Sequence, residues 1–451
     1  MTKYWRLLAV VACCVIVGCG QSEKPTPTDK PAEKRPAGEK NPKRGEDAAP
    51  AAKTEPVAPP ENPEGSAALE KLGAKLKRDK AGKVTEINLA EGRGTDADLE
   101  VVKSFSNLER LTLDGPTYTS KGLEQLKGLS KLRVLNLARS DTDDAGLVHL
   151  GAIESLEVLN LFSTDVTGEG FKSLAPLKNL KDLDLRRTLV DDKAVAELVA
   201  LPSLKILKLQ DCDRLLDSAI ESFVKMPALE RIGLRGSVWG DSALTKFGTI
   251  KRLKGLELDD ASSITDSGLE AIKDLTDLEI LSLRGSSVSD AGMAHLGGLT
   301  KLKRIMLRDT LVGDGAMEQL AKMPDLDTLE LTETQVGDAG LEKLSGLSKM
   351  ARLELWKVKI TPAGTAPLAK MVNFLDLNLD GTDINDDSLK ALSGLSRLEV
   401  LNLANTPITS KGVEHLKSLK NLKTLDLSFT QVDDAGAKAL TDAIPGLKIT
   451  R

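Results

Sequence analysis

From residue 84 onwards, apolar and polar positions alternate in a unit that recurs about every 24 residues. Each copy carries the phrase Leu-x-x-Leu-x-Leu. Its middle apolar residue falls at Ile87, Leu111, Leu135, Leu159, Leu183, Leu207, Ile232, Leu256, Leu281, Ile305, Leu329, Leu353, Leu377, Leu401 and Leu425, which makes fifteen copies. Within one copy, Leu132, Leu135 and Leu137 face inward while Val134, Asn136 and Ala138 face outward. That is the period-2 pattern of a strand with one buried face. Further on, Leu147 and Leu150 lie three apart, the spacing of the inner face of a short helix. A repeat of this length predicts a solenoid, in which each unit buries its apolar face only against its neighbours. The expected fold class is an α/β solenoid with a parallel inner sheet and short outer helices.

The positions between strand and helix also form columns. Three residues after the last leucine of the strand stand Ser140, Thr164, Thr188, Cys212, Ser237, Ser286, Thr310, Thr334, Thr382, Thr406 and Thr430. Hydroxyls there are expected to bond backbone groups of the next turn. Cys212, in the same column, is expected to be structural. A β-branched column follows, from Val166 and Val190 to Ile408 and Val432, with Trp239 in its place once and expected in the core. Next comes aspartate, at Asp144, Asp192, Asp217, Asp241, Asp266, Asp290, Asp314, Asp338, Asp386 and Asp434. An aspartate before Ala-Gly-Leu predicts a helix N-cap that accepts an N–H two or three residues on, contributing ~1 kcal/mol each. It does not predict a calcium ladder, because further oxygen ligands do not recur at a coordinating spacing.

The phrase Thr-x-Val-Thr-Asp-x-Gly-Leu-x-x-Leu, repeated over residues 84–449, resembles the leucine-rich repeat, in the subclass found in F-box substrate receptors and many bacterial envelope proteins. The resemblance implies a curved leucine-rich-repeat horseshoe, about fifteen turns over 84–451, with its parallel sheet on the concave side. No F-box motif precedes the repeats, so it does not extend to a ubiquitin-ligase role. One turn departs from the pattern: Val358 replaces the hydroxyl, Pro362 the aspartate, and Pro367 is expected to shorten the helix. At the far end, Leu447 and Ile449 begin a last strand whose edge Lys448 and Arg451 blunt.

Ahead of the repeats the composition changes three times. Lys3 and Arg6 precede an apolar run, Leu7 to Val17, that is shorter than the ~20 residues a spanning helix needs. Residues 1–19 are therefore expected to be a secretory signal. Its end, Ile16-Val17-Gly18-Cys19, resembles the lipobox of bacterial lipoproteins, which implies lipidation of Cys19 and a membrane tether. Residues 20–65 hold ten prolines and one larger aliphatic residue, Val57. Such a segment cannot bury enough surface to order itself, and a proline-rich stalk is expected, reaching on the order of 100 Å at ~3.1 Å per residue. In residues 66–83, Ala67, Ala68, Leu69, Leu72 and Leu76 predict a helix, and Lys80-Ala81-Gly82-Lys83 a turn, together an N-terminal cap.

The chain has 451 residues, 41% of them hydrophobic but only 3% aromatic, so the core is aliphatic. A net charge of −5, from 62 basic and 67 acidic residues, gives no basic excess for nucleic acid. Cys212 is the one cysteine outside residues 1–19, so no disulfide is expected in the repeats. His149, His295 and His415 occupy the same helix slot on well-separated turns and cannot share a metal. No nucleophile stands beside a base, and the glycines at 146, 170, 268 and 292 follow the repeat and serve packing. Neither catalysis, nor metal, nor cofactor is expected.

Function then lies on the faces. The outward positions of the strands carry Phe162, Arg186, Arg231, Arg235, Arg284, Arg304, Arg308 and Trp356, with Arg352 nearby. Arg and Trp are enriched at binding hot spots. Glu257, Asp259, Asp376 and Asp380 interleave with them, and a plain solvated surface is the rival reading. The sequence as a whole suggests a bacterial envelope lipoprotein that recognises a protein or peptide on its concave face. The alternatives are a structural envelope component that packs against itself or holds cell-wall polysaccharide, which the few aromatics disfavour, and the sensing half of a signalling system.

Overall fold

The computed structural model describes residues 62–90 and 93–451. Its first elements are a helix, α1 (Pro63–Lys71), and a strand, β1 (Lys75–Arg78), that pairs antiparallel with β2 (Val84–Asn88) through a tight turn. Leu76, expected on the helix with Leu69 and Leu72, lies on β1 opposite Ile87. Gly73, with φ of 92°, is what ends the helix early.

Each later copy of the phrase contributes one strand. They are β3 (Arg110–Thr112), β4 (Val134–Asn136), β5 (Val158–Asn160), β6 (Asp182–Asp184) and β7 (Ile206–Lys208). Then come β8 (Arg231–Arg235), β9 (Gly255–Asp259), β10 (Ile280–Ser282), β11 (Arg304–Met306) and β12 (Thr328–Glu330). The last five are β13 (Arg352–Glu354), β14 (Asp376–Asn378), β15 (Val400–Asn402), β16 (Thr424–Asp426) and β17 (Lys448–Thr450). From β2 to β17 every neighbouring pair is parallel, and the middle leucines stand in register, Leu281 against Ile305 against Leu329. A helix is about 10 Å wide and a strand needs only ~4.8 Å, so stacking one of each per turn bends the stack with the sheet inside.

The core is the expected one. The leucines of every phrase and the β-branched column are buried, and Trp239 packs against Phe223 with ring centroids 6.2 Å apart. No helix among the described residues is long and apolar enough to cross a membrane.

Two columns differ from expectation, each for a physical reason. Most of the hydroxyls bond their own turn, not the next: Thr310 Oγ1 donates to Leu307 O at 2.7 Å and Thr382 Oγ1 to Leu379 O at 2.6 Å, whereas Ser286 Oγ is buried without a partner. The carbonyl three residues back lies where the chain leaves the sheet, and at Thr334 and Thr382 it accepts the backbone N–H of the same residue as well. Cys212 departs in another way, its Sγ donating back to Leu185 O in the preceding turn at 3.1 Å, and burial pushes its thiol pKa up.

The residue before each of these hydroxyl positions adopts a left-handed backbone. Arg139, Ser163, Arg187, Asp211, Asp260, Asp309, Glu333, Lys357, Asn405 and Phe429 have φ between 51° and 60°, and Gly115, Gly236, Gly285 and Gly381 fill the same place. This kink turns the chain out of the strand towards the helix.

The aspartates do not cap their own helices. They stand at the first helical residue and, Asp217 and Asp434 apart, reach into the following turn. The Asp241 carboxylate accepts the Thr265 N–H at 2.8 Å and its hydroxyl at 2.7 Å. Asp266 does the same to Ser289, and Asp386 to Thr409. The helix glycines explain the Asp-x-Gly spacing. A Cβ on Gly268, Gly292 or Gly412 would overlap the carboxylate of the preceding turn's Asp241, Asp266 or Asp386.

Where the aspartate is missing, the next turn supplies its own acceptor. Ser120 and Ser410 replace it, and Asp143 and Asp433 follow, with Ser410 Oγ donating to Asp433 Oδ1 at 2.7 Å. Gly168 and Pro362 replace it, and Asp191 and Asn385 cap their own helices. Pro367 lies at the third residue of the helix Thr365–Lys370, where its missing N–H has no helical partner to lose; a 3-10 turn, Pro362–Gly364, precedes it.

Candidate functional site

The outward side chains of the strands form the concave face. Most of its charges are paired with each other. Arg186 Nη2 contacts Asp184 of its own strand at 2.6 Å, and its guanidinium lies 5.3 Å from the Phe162 ring centroid. Arg187 covers the same ring at 5.6 Å, so Phe162 is half-buried beneath two cations. Arg235 is held by Asp260 at 2.5 Å and Asp211 at 3.2 Å. Arg231 reaches Glu279 at 3.7 Å, lying across Gly255 of β9, where a Cβ would approach its Cγ to 2.9 Å. Arg284 spans β11 to grip Glu330 at 2.7 Å through Nε and 2.5 Å through Nη2, with Asp259 at 3.5 Å on the other side. Burial works against its charge, yet these two carboxylates hold its pKa above the ordinary value.

The edge of the sheet where strands begin is neutralised in the same way. Glu157 sits between Arg133 and Lys181, Glu230 between Lys205 and Lys254, and Lys303 beside Glu279. This ladder, alternating in sign but for the neighbours Lys181 and Lys205, is interrupted at Ala351 and Leu375, which hold the equivalent places before β13 and β14, and resumes with Glu399 and Lys423.

The face beside that gap is different. Arg304, Arg308, Arg352, Glu354, Asp376 and Asp380 make no ion pair among the described residues, although β11, β13 and β14 bring them within a few strands of one another. Asn378 donates to Glu354 at 2.8 Å and Asn405 to Asp380 at 2.8 Å, but amides bring no charge. Burial first, then the neighbouring acids Asp376 and Glu330, pushes the Glu354 pKa up. Burial raises Asp376 and Asp380 in turn. Glu257 on β9 is raised by burial and by Asp259, with Arg304 acting against the shift. Trp356, half-buried in the same patch, carries Lys357 Nζ 4.1 Å from its ring centroid, and Lys357 is tied to Glu333 at 2.8 Å.

The eight outward residues singled out in the sequence therefore separate. Phe162 and Arg186 form one neutralised cluster on β5 and β6. Arg231, Arg235 and Arg284 are engaged in ion pairs that join turns. Arg304, Arg308 and Trp356 remain available. Sequence reasoning missed Glu354 and Glu330, which occupy the middle outward column; only a reading of all three outward columns together would have found them. Among the described residues no group of three metal-ligating side chains comes together.

The leucine-rich repeat region family matches residues 116–370, more than half of the chain, and a leucine-rich repeat matches residues 418–440. The chain is a leucine-rich-repeat protein. Among solved structures it is similar to a Leptospira interrogans leucine-rich-repeat protein, 18% identical, with a TM-score of 0.50 over 78% of this chain and 92% of that one. A Listeria monocytogenes internalin is 20% identical with a TM-score of 0.40, over 85% of this chain and 92% of the other. The ectodomain of the Arabidopsis receptor kinase HAESA, solved with a peptide hormone ligand, is 15% identical with a TM-score of 0.43, over 79% and 76%. No curated protein matches this leucine-rich-repeat chain in sequence. The leucine-rich-repeat fold is commonly a protein-interaction module, and a binding role fits a face built from outward Arg and Trp.

Proposed function

We propose that this leucine-rich-repeat protein is a non-enzymatic recognition module that binds a protein or peptide partner on its concave face. The observation that carries the reading is the set of charges without an ion pair on and just after β11, β13 and β14, of which Arg308, Glu354, Asp376 and Asp380 are partly buried and Arg304 and Arg352 exposed, on a face whose other charges largely neutralise each other. A buried charge without a partner is costly, and a ligand of opposite charge removes that cost. The lipobox-like Ile16-Val17-Gly18-Cys19 lies outside the described residues; it supports tethering to a bacterial membrane through a lipid on Cys19, with residues 20–61 as the stalk, since the expected stalk's last residues, 62–65, cap and open helix α1.

The test is affinity capture from envelope extract with the wild type and an Arg304→Glu, Arg308→Glu, Trp356→Ala variant of equal thermal stability. A protein held by the first and lost by the second supports the reading. Identical capture by both, or retention only of the chain itself, contradicts it, and self-retention favours a structural role. Tethering has a separate test: Cys19→Ser is expected to move the protein from the membrane to the soluble fraction, and unchanged retention would refute the lipid anchor.

A further inference from the structure

From β11 to β14 the charges without an ion pair are largely segregated by sign, Arg352 on β13 being the exception and Glu257 lying to the far side on β9. The cations Arg304 and Arg308 share one turn, on and just after β11. The anions Glu354, Asp376 and Asp380 lie on β13 and β14. Arg352, also on β13, is outnumbered there. Between the two groups, β12 presents the small residues Thr328 and Thr332, the latter buried, and Glu330, whose charge Arg284 already neutralises. Arg308, Thr332, Trp356 and Asp380 hold equivalent positions on consecutive turns, so they form one row across the sheet. From β11 to β14 is three strand spacings, roughly 14 Å.

We infer that this surface takes a peptide segment with an acidic block and a basic block, the acidic block over Arg304 and Arg308 and the basic block over Glu354, Asp376 and Asp380. The inference rests on the recognition role proposed above and specifies its ligand. At ~3.3 Å per residue, about four residues of extended chain separate the blocks. The low threonine step at β12 gives the connecting backbone room, and beyond it the Trp356 ring, with Lys357 against it, lies in the same row between Arg308 and Asp380. A polyanion such as nucleic acid would satisfy the arginines but meet three carboxylates on the next turns. A uniformly cationic peptide meets the reverse conflict. Only a ligand with both signs in separate blocks relieves both groups at once.

The probes are fluorescent synthetic peptides of four kinds, five peptides in all, read by anisotropy against the full chain. One has two aspartates, four Gly/Ser residues and two lysines, made in both block orders because chain direction is open. The second has the same composition with alternating charges. The third and fourth are all-acidic and all-basic. One block order is expected to bind about tenfold tighter than the alternating isomer, and the binding to weaken with added salt. Arg304→Glu with Arg308→Glu is expected to abolish this preference, and so is Asp376→Lys with Asp380→Lys. The milder Arg304→Gln, Arg308→Gln pair, checked by its melting curve, gives the same answer if a reversal disturbs folding.

Equal binding of block and alternating peptides overturns the inference. So does all-acidic binding as tight as the block peptide, or no binding by any probe. If the peptides fail while a captured partner is still lost with the concave-face variant, recognition stands and only its charge code falls. If both fail, the recognition role falls too.

Discussion

The carboxylate of Asp338 holds the turn that follows its own, accepting the Thr361 N–H at 3.0 Å and the Thr361 hydroxyl at 2.5 Å. Twenty-three residues separate the two, so the bond joins neighbouring turns and orients the next one as it leaves the sheet. Asp338→Ala removes two acceptors from Thr361 and is expected to cost about 1–2 kcal/mol. Hydrogen exchange should rise in residues 361–370 more than in the turn that carries the substitution. An equal rise in the helix Asp338–Leu344 would show that the aspartate acts on its own turn.

The same junction exists in reversed form, with Ser410 donating to Asp433. Converting Asp386 and Thr409 into that form, Asp386→Ser with Thr409→Asp, should therefore be far milder than either single change. Each single substitution is expected to lose ~1 kcal/mol, with most of it recovered in the double variant as a coupling energy. Denaturant unfolding of the four proteins measures this, and simple additivity would refute the exchange.

Arg284 and Glu330 tie β10 to β12 with 30% and 14% of their side chains exposed. That lies between a surface pair and a buried one, so Glu330→Gln is expected to destabilise by about 1–2 kcal/mol. Arg284→Met with Glu330→Leu should recover most of the loss, because no charge is then left alone. Melting curves of the single and double variants decide it.

Glu354, Asp376 and Asp380 have pKa values raised above their ordinary 4.5, 3.8 and 3.8. The folded state then holds protons that the unfolded chain releases. Their contribution to stability is greatest below the ordinary values and is lost as pH rises through the raised ones. A cationic ligand needs the charged form, so binding should instead weaken as pH falls through the same window. Asp376→Asn with Asp380→Asn is expected to raise the melting temperature at neutral pH and to flatten both dependences. A melting temperature that rises with pH on account of these groups would contradict the assignment.

Much of this architecture is legible in the sequence, because burial enforces it. The inward leucines, the β-branched column and Trp239 are fixed by a period that cannot slip without exposing the whole face. The N-terminal helix was overextended, since Leu76 fits both a helical and a strand period and only the pairing of β1 with β2 decides between them. The aspartate column acts on the following turn, which its spacing hides for a similar reason: capping rules describe contacts within one helix, and here the acceptor is supplied from 23 residues away. The signal was present in the way Ser120 and Ser410 are answered by Asp143 and Asp433. The left-handed column could have been read from Gly115, Gly236, Gly285 and Gly381 alone, had the non-glycine residues at that place not hidden it. In the candidate site, sequence showed which residues point outward. It could not show which of them neutralise each other, because Arg284 and Glu330 are 46 residues apart.

The most direct measurement is hydrogen exchange of the full chain with and without the captured partner. Recognition through the concave face predicts protection confined to the strands and exits around Arg304–Arg308, Arg352–Trp356 and Asp376–Asp380. Protection of outer helices such as Asp314–Leu320 and Asp338–Leu344, with those strands unchanged, would contradict it.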